Sequence, residues 1–374
     1  MPSKTPKQSE VIVIGAGPAG STAALLLARE GRQVLLLDSA SFPRPKACAG
    51  WLSPRGVDLC GQLGIDASKM GATPITEARF LSADLSQSAQ PSHQDRLGVV
   101  VDRTKFDEQM ALAAKKAGAK FHDRFTVSTI RPGESEVEVE SVEGNVLTSK
   151  LVILATGVSQ RLSGQLGLHM PTDSAVVQAA HVTVRMKPSE GANRSRLTAV
   201  LAAKGDGCCL AIEQPDHISL TLHARAGRDE LTGHLVELAE RLHRIGFLSM
   251  DVSEQAARPV CAPAYRFNAL DADSHVGKRS LVIGDAGGFY ATVSLEGIFP
   301  AMWSAQIAAT IVDKALAAPH PQDALMGFDR EWRLAMADFL RPPNTDLHLL
   351  VPLIFTNQPM ADRMGAAFFL GENI

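Results

Sequence analysis

The sequence predicts an α/β protein: a Rossmann-like nucleotide domain, interrupted by an inserted antiparallel sheet and followed by a helical C-terminal part. Three observations carry this. A β-branched run is turned by three glycines at residues 11–20. Short strand-like segments follow one another from residue 175, separated by Gly, Pro and Asp. A buried strand then returns at 280–283 and ends in a second glycine turn, Gly284-Asp285-Ala286-Gly287-Gly288.

Val11-Ile12-Val13-Ile14 reads as a buried strand, and Gly15, Gly17 and Gly20 turn it into a helix over 21–30. Gly15 permits the tight turn, Gly17 lets a pyrophosphate approach the backbone, and Gly20 lets helix and strand pack closely. The free amides and positive end of that helix attract phosphate. A second strand, 33–37, ends in Asp38, whose carboxylate is placed to accept ribose hydroxyls. Strand, turn, helix, strand and acid fit one βαβ unit, so this Rossmann-like segment binds an adenine dinucleotide.

The rest of the chain is read the same way. Residues 41–56, rich in Pro and Gly, form an ordered loop, and 83–97 a surface loop or hairpin. Phe106, Met110, Ala113 and Ala117 recur at helical spacing and predict a helix over 106–118. Strands are predicted at 125–130, 136–142 and 146–153, and in the inserted sheet at 181–186, 197–202, 208–212 and 218–223. Helices cover 231–244 and 298–318, and residues 329–374 are mostly helical. The expected organisation is a nucleotide domain in three segments (1–73, 101–174, 271–320). Substrate-domain strands fall at 74–100 and an antiparallel substrate domain at 175–270, with a helical region at 321–374.

Composition excludes several functions. With 37 basic and 40 acidic residues there is no polyanion-binding excess, and 5% aromatic residues make no base-stacking platform, so nucleic acid is not a partner. Five cysteines (Cys48, Cys60, Cys208, Cys209, Cys261) form no CxxC pair, and the eleven histidines no HxH or HxxxH pair. Neither a disulfide framework nor a metal site is indicated, and a cytoplasmic location is expected. The first ten residues lack the apolar core of a secretory signal, and no apolar run reaches the roughly 20 residues needed to span a bilayer. Peripheral membrane contact stays open. The apolar segment 347–355 is read first as an ordinary core helix, with a lipid tunnel cover or membrane-surface helix as alternatives.

Four features fall in a recognisable order: the glycine turn with Asp38, then Asp102-Arg103-Thr104-Lys105-Phe106-Asp107, then Ala155-Thr156-Gly157, then Gly284-Asp285-Ala286. This resembles the flavin-dependent hydroxylase-like superfamily over most of residues 9–315. Within it, Pro45-Lys46-Ala47-Cys48-Ala49-Gly50-Trp51-Leu52-Ser53 resembles the Lys-x-Cys-Gly-Gly segment of the geranylgeranyl reductase family. Ser294-Leu295-Glu296-Gly297-Ile298-Phe299, followed by Ala301-Met302, is similar to that family's Gly-Glu-Gly-Ile stretch.

The resemblance implies FAD as the dinucleotide. It implies cofactor contacts from Gly15, Gly17, Pro18, Ala19, Gly20, Asp38, Lys46, Ala49, Gly50, Arg103, Val127, Thr156, Gly157, Asp285, Gly297 and Ile298. Arg103 reaches the pyrophosphate or flavin edge, or else pairs with Asp107 four residues on. Asp285 accepts a ribityl hydroxyl, and the amides of Gly297 and Ile298 face the flavin N1–C2=O edge, where a helix start stabilises negative charge. Cys48 and Trp51 are the catalytic candidates. Cys48 donates a proton or shapes the cavity, or is an inert thiol, with Lys46 the only neighbour in sequence able to depress its pKa.

The chain departs from the pattern in three places. Ala49 and Trp51 replace small residues, so the cavity beside the flavin is expected to be narrower or differently walled. The aromatic Tyr-x-Trp-x-Phe-Pro signature is replaced by Cys208-Cys209-Leu210-Ala211-Ile212-Glu213-Gln214-Pro215, which argues against long polyprenyl substrates. Thr156 stands where many relatives have aspartate, which weakens a hydroxylase reading.

The expected activity is therefore hydride transfer between flavin N5 and a carbon–carbon double bond of an apolar, isoprenoid- or lipid-like substrate. With one dinucleotide fingerprint, electrons come from transiently bound NAD(P)H or from an electron-donor protein. A monooxygenase or halogenase acting through a C4a-hydroperoxide is the alternative, and a flavin-holding lipid-binding protein a third.

Overall fold

The computed structural model describes residues 7–171, 176–187, 195–202, 207–343, 345 and 347–372. The first strand, Gln8–Ile14, lies in mid-sheet, parallel to Val34–Leu37 on one side and Val146–Leu154 on the other. Lys120–His122 extends the sheet beyond Val34–Leu37, and Ser280–Val282 extends it beyond Val146–Leu154, both in parallel. The β-branched run is buried on both faces, as in a parallel sheet covered on each side. Val11 and Val13 pack with the helices Pro18–Arg29, Arg103–Lys116 and Ile298–Ala317, while Ile12 and Ile14 pack with Leu154, Phe125 and Leu162. The strands Val127–Pro132 and Val137–Ser141 run antiparallel to one another, and the second of them to Val146–Leu154.

The second sheet runs in the order Val260–Tyr265, Val177–Arg185, His217–Ala224, Cys208–Gln214, Arg196–Leu201, Glu77–Leu81, Ser88–Ala89. It is antiparallel except where Arg196–Leu201 meets Glu77–Leu81. Period-two alternation gives it two different faces. Ile218, Leu220 and Leu222 pack under the helix Arg228–Arg244 against Leu231, Leu235 and Leu242. The opposite face carries His217, Ser219, Thr221 and His223 toward one end. Toward the other end Leu197, Leu210 and Ile212 pack against Trp51, Phe80, Phe368 and Phe369. The predicted architecture is thus present, and the strand Val260–Tyr265 is an addition to it.

Two sequence expectations change. The loop predicted through residue 56 ends earlier: Trp51–Leu52 pairs with Val99–Val100, and Ser53 caps the helix Pro54–Gln62 by accepting the Gly56 amide at 3.2 Å. Serine followed by proline is a helix-start signal. The apolar segment is not an ordinary core helix. Leu347–Ile354 is helical and buries Ile354, but Leu349 is 67% and Leu353 48% exposed, because only one side of so short a helix meets the protein. Among the described residues no helix is long and apolar enough to cross a membrane.

Candidate active site

Two glycine corners meet. A Cβ on Gly15, which has φ +105°, would stand 2.1 Å from the Ala155 carbonyl oxygen, and one on Gly20 would stand 1.7 Å from the Gly15 carbonyl oxygen. Both are therefore packing glycines. Gly17 differs: a Cβ there would meet only the tip of Arg44, at 3.5 Å, so it leaves room in front of the backbone. Gly17 also starts the helix Pro18–Arg29 with no side chain capping it. From the other side of the chain, a Cβ on Gly284 would come within 2.9 Å of the Ala19 side chain. The second glycine turn thus lies directly on the first.

Between the corners lies a cleft of about 420 Å³. It is lined by fourteen of the eighteen expected site residues: Gly15, Gly17, Pro18, Ala19, Asp38, Lys46, Cys48, Arg103, Val127, Thr156, Gly157, Asp285, Gly297 and Ile298. Asp38 accepts the amides of Ala16 at 2.7 Å and Ala40 at 2.8 Å, which ties the glycine turn to the end of the second strand. Gly297 starts the helix Ile298–Ala317 with no side-chain cap, and Asp285 Oδ1 sits 3.3 Å from where its Cβ would be. A side chain there would press on the acid and on the Tyr265 ring. Burial pushes the Asp285 carboxyl up, against the pull of Lys46 and Arg103.

Four expected residues lie elsewhere. Gly20 packs as described, and Gly50 is required by Val101, whose carbonyl oxygen lies 2.2 Å from where a Cβ would be. Ala49 lines an outer groove that shares Lys46, Ala47, Cys48 and Arg103 with the cleft. Trp51 is buried away from both cavities. Its Nε1–H donates to the Leu97 carbonyl at 2.9 Å and its ring stacks on Phe368 at 5.4 Å, so its role here is packing.

The Arg103–Asp107 pair foreseen as the alternative is present in bidentate form, at 2.9 and 3.0 Å. The arginine lines the cleft all the same. Burial works against its charge, but Asp107 and the neighbouring Cys48 thiol outweigh that and hold the guanidinium above its ordinary value. Asp107 is fully buried and also pairs with Arg44 at 3.3 Å. Two guanidinia and Lys46 thus stand against Asp107 and Asp285, which leaves positive charge in excess and suited to a pyrophosphate. Arg44 and Asp107 were not foreseen as a unit, because Arg44 precedes its partner by 63 positions of chain.

Tyr265 and His223, also unforeseen, wall the cleft from the inserted sheet with their rings 5.9 Å apart. The Tyr265 hydroxyl donates to the carbonyl of Leu295, a non-glycine residue with φ +56°. That left-handed backbone, which costs about 1–2 kcal/mol, is held beside Glu296 and Gly297. On the far side His275 donates from Nε2 to the Gly287 carbonyl at 2.7 Å while Asp329 accepts the His275 amide at 3.0 Å, which fastens the second glycine turn to the helix Gly327–Leu340.

Glu296 is buried, its carboxylate accepting the Ser53 amide at 3.1 Å. Burial raises its pKa to about 7, despite the Ser53 and Phe299 hydrogen bonds and the Arg55 charge. A raised carboxyl pKa stabilises the fold below the unfolded value of 4.5, and that contribution is lost as pH rises through about 7. We expect Glu296→Gln to match the parent at pH ~4 and exceed it at pH ~8 by on the order of 3 kcal/mol, read by urea unfolding. Equal stabilities at the higher pH would contradict this.

This fold and cleft define a flavin-type dinucleotide-binding protein. The family of the FAD binding domain matches residues 8–286, and the chain belongs to it. The expected resemblance to the geranylgeranyl-reductase-like branch is borne out. The chain is 31% identical over 179 residues to digeranylgeranylglycerophospholipid reductase 1 of Methanosphaera stadtmanae, covering 46% of this chain and 44% of that protein. It is 31% identical over 167 residues to a menaquinone reductase of Mycobacterium tuberculosis, covering 42% and 40%. The matches thus span less than half the length of these curated relatives. A geranylgeranyl bacteriochlorophyll reductase-like protein from Thermoplasma acidophilum shares the fold with TM-score 0.75 at 16% identity, over 97% of this chain and 96% of that one. The flavin-dependent brominase Bmp2 shares it with TM-score 0.74 at 18% identity, over 97% and 93%.

The residues present fit FAD. The open space and uncapped helix start at Gly17 and the Arg44–Arg103–Lys46 charge suit its phosphates, the uncapped helix start at Gly297 suits the flavin N1–C2=O edge, and Asp38 and Asp285 offer carboxylate acceptors of the kind its hydroxyls require.

Proposed function

We propose that this chain is an FAD-dependent oxidoreductase acting on a carbon–carbon double bond of an apolar, isoprenoid- or lipid-like substrate. Bound FAD supplies hydride transfer at N5, recharged by NAD(P)H or an electron-donor protein. The observation that carries the reading is the position of Cys48. It lies in the wall shared by the cleft and the outer groove, beside the Arg103 guanidinium, and accepts the Gly50 amide at 3.4 Å. A thiol there is within reach of both cavities, and the chain can use it to deliver the proton that completes reduction. The reductase names of the two curated relatives support the same class.

The substrate is short. The apolar half of the sheet face, where a long chain would lie, is filled by Trp51, Phe80, Phe368 and Phe369.

The test is anaerobic. Photoreduced holoprotein mixed with short apolar alkenes is expected to reoxidise with formation of the saturated product. Cys48→Ala is expected to slow this about a hundredfold without weakening FAD. Absence of any transfer, with oxygen consumption stimulated by the same compounds, would instead establish the monooxygenase reading.

A further inference from the structure

We propose that His223 recognises a carbonyl oxygen on the substrate, so that the double bond acted on is conjugated to a carbonyl. This rests on the reductase reading and narrows its substrate class. His223 belongs to the polar edge of the inserted sheet, in the alternation His217, Ser219, Thr221, His223 of the strand His217–Ala224. It lines the cleft with Tyr265 and is 94% buried, its relative exposure being 6%.

Of the polar neighbours on this face, the Ser219 hydroxyl is buried without a partner, but those nearest the cleft are committed. His181 bonds Thr221 at 2.8 Å through Nδ1 and Thr183 at 3.0 Å through Nε2, and the Tyr265 hydroxyl is held by the Leu295 carbonyl. His223 is not: its Nδ1 is closed to water and has no hydrogen-bond partner among the described residues. An imidazole N–H buried without an acceptor costs more than a bare lone pair in the same place. We place the ring proton on Nε2 and assign that edge as the donor to the cleft that His223 lines.

Burial, with His181 nearby, lowers the His223 pKa to about 4, so the ring is neutral near pH ~7. A neutral donor at the end of a cleft selects a neutral acceptor. It offers nothing to an isolated alkene and has no charge for a carboxylate or phosphate. A carbonyl accepts its hydrogen bond, and the same bond draws charge from the conjugated double bond, which makes the β-carbon the electrophile that hydride addition needs.

The experiment uses FAD-loaded protein and two probes of equal size, benzalacetone and its deoxygenated counterpart phenylbutene. Binding is read from the flavin difference spectrum, and the carbonyl stretch from infrared difference spectra. The parent is expected to bind the ketone about tenfold more tightly than the hydrocarbon, with the stretch moved to lower frequency. His223→Leu is expected to abolish both effects, and His223→Gln, which keeps a donor near the Nε2 position, to retain most of both.

No preference in the parent, or an unchanged preference and stretch in His223→Leu, overturns the inference. Should the leucine variant fail to load FAD, His223→Phe takes its place, and an unchanged preference and stretch in that variant overturns the inference as well. Reduction is measured separately: ketone held through His223 but never reduced overturns the reductase reading alone. Reduction undiminished in His223→Leu overturns this inference alone.

Discussion

Gly17→Ala is expected to leave unfolding within about 1 kcal/mol of the parent while weakening FAD at least ~tenfold, whereas Gly15→Ala and Gly20→Ala lose fold and cofactor together. The distinction comes from where a methyl group would go. At Gly17 the backbone is extended, φ −71°, and the nearest atom is a movable arginine tip. The methyl therefore harms little until a pyrophosphate needs the same space. At Gly15 it would enter the Ala155 carbonyl and force a left-handed residue, and at Gly20 it would enter the Gly15 carbonyl. Overpacking against backbone costs about 1–3 kcal/mol, and the φ penalty at Gly15 adds about 1–2. Urea unfolding of apoprotein beside FAD titration separates the two classes. If Gly17→Ala bound FAD like the parent, the pyrophosphate would have to lie elsewhere.

Asp107→Ala is expected to cost about 3–5 kcal/mol of stability. The carboxylate is fully buried and holds Arg103 through two hydrogen bonds and Arg44 through a third contact. Its removal leaves two cations facing each other beside Lys46. FAD brings anionic phosphates to the same charges, so the variant should regain more stability than the parent on adding saturating cofactor. The measurement is the unfolding free energy with and without FAD. A loss below about 1 kcal/mol would show that the cluster is as solvated as a surface pair.

What could be read from sequence was local. The glycine turn, Asp38 and the start of the helix Ile298–Ala317 depend on residues close together in the chain, and each fell where expected. The Arg44–Asp107 pair and the burial of Trp51 against Phe368 depend on partners brought from far along the chain, which no spacing rule reveals. The exposure of Leu349 and Leu353 was hidden for a related reason: apolar composition does not say which face of a short helix meets a neighbour.

His223 is a different case. Its strand alternates His217, Ser219, Thr221, His223 with Ile218, Leu220, Leu222, and that period-two pattern announces a polar face opposite an apolar one. Which cavity that face would meet required the fold.

We propose that one dinucleotide lies in the cleft from Asp38 past the two touching glycine corners to Gly297, short of the wall that His223 forms. Calorimetric titration of apoprotein with FAD and with FMN tests it most directly. One FAD per chain is expected, bound at least ~hundredfold more tightly than FMN, because only the dinucleotide engages the first glycine turn and Asp38. Equal affinity for FMN, or no binding of FAD, would contradict it.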